Sequence, residues 1–120
     1  MGKTYSSGTL WVGNRPIGSW TVEGGWKYCY ITIDLAPWAY VTEEGAEEMR
    51  RLYMDYLKKN IEAIKIPKWW WGCGGGIQFF LVLVKDWREM MSKLLDIIKR
   101  QAIVVSTGER PLEKLEIITN

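Results

Sequence analysis

The chain of 120 residues contains no histidine. Because histidine is the most common metal ligand and a frequent general base, its absence excludes every Ser-His or Cys-His catalytic pairing. The 2 cysteines, Cys29 and Cys73, are too few for a structural zinc site, which needs four Cys or His ligands. We therefore predict no metal site, no cofactor and no catalytic residue, and we favour a binding protein over an enzyme.

Long hydrophobic runs are also missing. The longest apolar stretch, from Ile77 to Val84, is much shorter than the roughly 20 residues that a membrane-spanning helix needs. The polar start of the chain, Met1 to Ser6, lacks the apolar core of a secretory signal. These absences predict a cytoplasmic protein with no membrane partner.

Asparagine and glutamine are scarce, whereas Lys, Glu, Arg and Ile are plentiful, which is typical of hyperthermophile proteins. The composition therefore predicts a source in a hyperthermophile or its virus. Cytoplasmic cysteines are normally reduced, but hyperthermophiles also form intracellular disulfides. This reasoning leaves open whether Cys29 and Cys73 form a disulfide.

The length and a hydrophobic content of 48% predict one globular domain over residues 1–120. Its first third contains three β-like segments separated by Gly-rich turns, which predict a three-stranded meander. The segments are Thr9 to Val12, Ser19 to Glu23 and Trp26 to Leu35. In the third strand, predicted from Trp26 to Leu35, alternation separates two faces. The aliphatic face is Cys29, Ile31, Ile33 and Leu35, and the aromatic and polar face is Trp26, Tyr28, Tyr30, Thr32 and Asp34.

Two helices follow from the spacing of apolar residues. The first is predicted to begin at Thr42 as N-cap, and the second at Asp86 as N-cap with Glu89 three residues later. Between them, Ile77 to Val84 is apolar on both faces, which predicts a central strand. The element order is βββαβαββ, so we predict an α+β fold with a mainly antiparallel sheet and both helices on one face.

Aromatic residues next to lysines provide the functional signal. Three consecutive tryptophans cannot all point into one core, and a base-stacking surface requires exposed rings beside cations. We therefore predict binding of single-stranded DNA or RNA with little sequence preference. The predicted stacking residues are Trp69, Trp70, Trp71, Trp26, Tyr28 and Tyr30, and the predicted phosphate contacts are Lys27, Lys58, Lys65 and Lys68.

Other functions fit the same residues. Exposed tryptophans also form the interfaces of homodimers and larger assemblies, so a structural or interaction protein is the alternative, and we expect a homo-oligomer. A histidine-free nuclease using Glu, Tyr, Arg and Lys is a third possibility. A carbohydrate-binding module is a fourth, weakened by the missing export signal.

Overall fold

A computed structural model describes residues 2–64, 77–104, 110–111 and 115–119. Five strands form one antiparallel sheet in the order β5-β3-β2-β1-β8, and three short strands form a second sheet in the order β4-β6-β7. The elements are β1 Lys3–Val12, β2 Arg15–Gly24, β3 Tyr28–Leu35, β4 Ala39–Val41, α1 Glu43–Asn60, β5 Ile77–Leu83, α2 Trp87–Gln101, β6 Ala102–Val104, β7 Arg110–Pro111 and β8 Leu115–Thr119. The predicted α+β class is confirmed, and the element order is consistent with the predicted βββαβαββ, with the short strands β4 and β7 in addition.

The first three strands form the predicted meander. A two-residue turn, Gly13 and Asn14, joins β1 to β2, and Gly13 adopts the left-handed conformation at φ 61° that glycine tolerates. In β3 the predicted alternation is also present: Cys29, Ile31 and Ile33 are buried, whereas Tyr30 and Asp34 are exposed. We call the face that carries Tyr30 and Asp34 the open face.

The helices bury apolar residues beside the opposite face of the sheet. Thr42 caps α1 as predicted, because its hydroxyl accepts a hydrogen bond from the Gly45 amide at 3.1 Å. Below the sheet, Leu94 of α2 is fully buried with Ile31 of β3, and each such side chain contributes about 1.5–3 kcal/mol of transfer free energy. None of the described helices is long and apolar enough to cross a membrane.

The prediction that Ile77 to Val84 forms a central strand is wrong. Among the described strands, β5 lies at the edge of the five-stranded sheet and pairs with β3 alone. Helix α1 takes the place of a second neighbour, since Tyr53 Oη both accepts from the Leu81 amide at 3.0 Å and donates to the Leu81 carbonyl at 2.9 Å. Tyr56 Oη accepts from the Leu83 amide at 2.9 Å. Tyrosine hydroxyls thus provide hydrogen-bond partners for the backbone of this strand at Leu81 and Leu83.

Asp86 is the N-cap residue of α2, as predicted, but the capping hydrogen bond expected from its side chain is absent. A 3-10 turn, Val84–Asp86, comes before α2, and the Asp86 side chain makes no capping hydrogen bond. Its carboxylate instead accepts from Tyr56 Oη at 2.7 Å. Burial, helped by this hydrogen bond, raises the pKa of Tyr56, so the hydroxyl stays protonated and continues to donate.

Candidate nucleic-acid interface

A tight turn at one end of the sheet carries Trp26 and Lys27. Gly24 at the end of β2 pairs with Cys29 of β3, and the Gly25 amide donates to the Tyr28 carbonyl at 2.9 Å, which closes the turn. A Cβ atom at Gly24 would lie 2.6 Å from the Tyr28 carbonyl oxygen, so glycine is needed for this approach. Trp26 therefore belongs to the turn and not, as predicted, to the strand.

Contacts from two other elements hold the turn in place. In β1 the register shifts between Thr4 and Ser6, and such a bulge re-aims a side chain. Tyr5 lies at this bulge and donates its hydroxyl to the Gly25 carbonyl at 2.6 Å. On the other side, the Val84 amide donates to the Lys27 carbonyl at 2.9 Å. The turn is therefore a supported platform.

The indole of Trp26 is 97% exposed. Burying an aromatic ring removes roughly 200 Å² from water at about 25 cal/mol per Å², so an exposed indole forgoes about 5 kcal/mol of hydrophobic stabilisation. Folding alone gives no reason to place tryptophan here. Trp26, one of the predicted stacking residues, is therefore exposed, whereas the expectation that one of Trp69, Trp70 and Trp71 faces solvent lies outside the described residues.

Two lysines lie against tyrosine rings of the residues that form and hold this turn. Lys27 Nζ lies 5.4 Å from the centre of the Tyr28 ring, and Lys3 Nζ lies 5.0 Å from the centre of the Tyr5 ring. Both distances fall within the range of cation–π attraction, which keeps the ammonium groups near the aromatic surface. We call Lys3, Tyr5, Trp26, Lys27 and Tyr28 the turn cluster. Exposed Lys85 follows Val84, whose amide contacts this turn.

The other predicted aromatic residues differ in their accessibility. Tyr28 is half-buried and donates its hydroxyl to the Ala63 carbonyl at 2.5 Å, which joins the end of the sheet to the turn after α1. Tyr30 is 40% exposed on the open face. Tyr28 thus supports the turn cluster, while Tyr30 presents ring surface beside it.

The remaining predicted site residues are only partly covered by the structure. Lys58 is exposed in the last turn of α1. Lys65, Lys68 and the three tryptophans Trp69, Trp70 and Trp71 lie outside the described residues, as does Cys73. Their roles stay predictions.

Sequence reasoning missed Lys3, Tyr5 and Lys85. The first two were overlooked because β1 was predicted to begin at Thr9, since Ser6, Ser7 and Gly8 have weak strand preference. The alternation of Tyr5, Ser7 and Thr9 was the available signal. Lys85 could not be placed without knowing that the chain after β5 returns to the turn.

The described cysteine and acidic residues bear on metal binding and nucleophilic chemistry. No group of three or more Cys, Asp or Glu residues in the described part could hold a metal ion. Cys29 is a free thiol in the core, and burial raises its pKa to about 11, which keeps it a poor nucleophile. No family model, curated protein or solved structure matches the chain, so the function is inferred from the site.

Proposed function

We propose that this protein binds single-stranded DNA or RNA, with little sequence preference, through the turn cluster. The observation that carries the proposal is the 97% exposure of Trp26, which adjoins Lys27 in a turn held by hydrogen bonds from Tyr5 and Val84. A base stacks on such a ring whatever its identity, and the ammonium groups attract the phosphates on either side. The composition further supports a cytoplasmic protein of a hyperthermophile or its virus.

Replacing Trp26 tests the proposal. One stacked base contributes about 1–3 kcal/mol, so Trp26→Ala should weaken binding of a labelled oligothymidylate by about 5- to 150-fold at low salt. Trp26→Phe should fall between the two, because its ring offers less stacking area. Fluorescence anisotropy measures all three affinities.

Trp38→Phe is the matched control. Trp38 follows β3, and its Nε1 donates to the Pro16 carbonyl at 3.2 Å. Pro16 is at the start of β2, the end away from the turn cluster, so Trp38→Phe should leave binding unchanged. In the same titrations, Lys27→Ala should lower the salt slope by about 0.7, the contribution of one phosphate contact. Exposed Lys99 on α2 supplies the charge control. The proposal is wrong if the wild type binds no oligonucleotide, or if Trp26→Ala binds as tightly as the wild type.

Self-association is a second candidate function. Ile77 and Phe79 of β5 are 41% and 39% exposed, and Tyr30 on the neighbouring strand is 40% exposed. The pairing register puts these three side chains on the open face, where Phe79 is opposite Thr32 and Ile77 is opposite Asp34. A second copy of the chain would remove this apolar strip from water.

A further inference from the structure

Glu23 and Tyr30 are direct cross-strand neighbours on the open face. The register of β2 and β3 pairs Glu23 with Tyr30, and that of β1 and β2 pairs Thr4 with Glu23. Directly opposite residues of an antiparallel pair have Cβ atoms about 5 Å apart. A flat group lying on the Tyr30 ring would therefore have its edge within reach of the Glu23 carboxylate.

The Glu23 carboxylate has no cation beside it in the described chain. Glu23 is exposed, and none of the salt bridges found among the described residues, with N to O distances up to 4.0 Å, involves it. The neighbouring Lys3 and Lys27 lie against aromatic rings instead. Any carboxylate repels phosphates, so at a nucleic-acid surface it lowers affinity unless it accepts hydrogen bonds from the ligand.

We propose that Glu23 recognises the Watson–Crick edge of a base stacked on Tyr30 and favours guanine at that position. The inference rests on the proposed function and refines it: the turn cluster accepts any sequence, and only the base that stacks on Tyr30 is selected. Guanine presents two adjacent donors, N1–H and the 2-amino group, which match the two oxygens of a carboxylate. Cytosine and adenine present one amino group, and the thymine N3–H lies between two carbonyl oxygens that repel a carboxylate.

The position of Tyr30 relative to Trp26 is consistent with one continuous ligand. Tyr30 lies two residues beyond Tyr28 on β3, a displacement of about 7 Å along the strand. A single strand whose base stacks on Trp26 therefore reaches Tyr30 after a short stretch of backbone.

The experiment compares an oligothymidylate with the same oligonucleotide carrying isolated guanines, spaced to prevent quadruplex formation. We expect the guanine-containing strand to bind about 5- to 150-fold more tightly, the discrimination of one good bidentate pair. Inosine, which lacks the 2-amino group, should lose most of this gain. Glu23→Gln should abolish the preference without weakening binding of oligothymidylate.

Asp34→Asn is the matched control. Asp34 is exposed on the same face of β3 but is paired with Ser19 and Ile77, with no aromatic neighbour in its row. Both variants remove one negative charge, and only Glu23→Gln should lose the guanine preference. If oligothymidylate binds but guanine adds nothing, or if Asp34→Asn loses the preference equally, the inference is wrong and the proposed function stands. If no oligonucleotide binds, both are wrong.

Discussion

Glu48 of α1 and Arg100 of α2 form a two-point ion pair between the helices. Arg100 Nη2 donates to Glu48 Oε1 at 2.6 Å and Nη1 donates to Oε2 at 3.3 Å, while Arg100 Nε donates to Asp96 at 3.0 Å. The hydrogen bonds from Arg100 lower the pKa of Glu48 below its ordinary value of 4.5. Both side chains are partly exposed, so solvent screening weakens the ion pair. The pair nevertheless links the two helices at one point.

Glu48→Gln tests this residue pair through the pH dependence of stability. Because the folded-state pKa is below the unfolded value of 4.5, the pair stabilises the fold above that pH and loses its contribution as pH falls through the lowered pKa. Urea midpoints measured over a pH series should therefore fall less on acidification in Glu48→Gln than in the wild type.

Glu47→Gln is the control for that pH series. Glu47 pairs with Arg50 on its own helix, so it does not link α1 to α2. A smaller acid-induced fall of the urea midpoint in Glu48→Gln than in Glu47→Gln would assign the effect to the interhelical pair. An unchanged loss of stability in Glu48→Gln would show that the interhelical pair contributes nothing.

The exposure of Trp26 could be predicted from the sequence, but its position could not. Period-2 alternation placed Trp26 with Tyr28 and Tyr30, since the pattern does not show where a turn ends and a strand begins. Lys27 was predicted as a phosphate contact, yet its Val84 hydrogen bond depends on a partner far away in the chain. The sequence shows the chemical type of each residue, whereas the fold determines which residues lie next to it.

At the scale of elements, the hydroxyl of Tyr53 joins α1 to β5. Tyr53→Phe keeps the ring, which meets Phe80 edge to face at 5.3 Å, but leaves the buried Leu81 amide and carbonyl without this partner. We expect a loss of about 1–3 kcal/mol in the free energy of unfolding, measured by urea denaturation.

Tyr40→Phe is the corresponding control. Tyr40 is 39% exposed on β4, so its replacement should change the free energy of unfolding by less than about 0.5 kcal/mol. Equal effects of the two substitutions would argue against a specific role of the Tyr53 hydroxyl.

The error over β5 has a physical cause. The apolar run predicted burial on both faces, and Phe80, Leu81, Val82 and Leu83 are indeed buried. The pattern of apolar residues along a strand predicts which side chains are buried, however, and does not predict which groups form hydrogen bonds with its backbone. The contact of β5 with the tyrosines of α1 was not predicted. The Tyr56 hydroxyl also donates to the Asp86 carboxylate, which makes no capping hydrogen bond to α2 although Asp86 is its N-cap residue.

At the scale of the whole molecule, sedimentation can test whether the open face is a subunit interface. If Ile77 and Phe79 mediate self-association, sedimentation should show a mass above 14.0 kDa that rises with concentration. Phe79→Asp should then restore the monomer, because an unpaired charge in an apolar interface is costly. Thr21→Asp on the same face, two strands from β5, is the control. A concentration-independent monomer would exclude this function.

The tyrosines that contact the backbone of β5 also affect how the protein aggregates. While α1 is in place, a strand from a neighbouring molecule finds the outer backbone groups of Leu81 and Leu83 already occupied. Conditions that detach the helix would expose an apolar strand of seven residues with free amides and carbonyls, a template for cross-β growth. Aggregation on heating should therefore begin with release of α1, well before the meander itself comes apart.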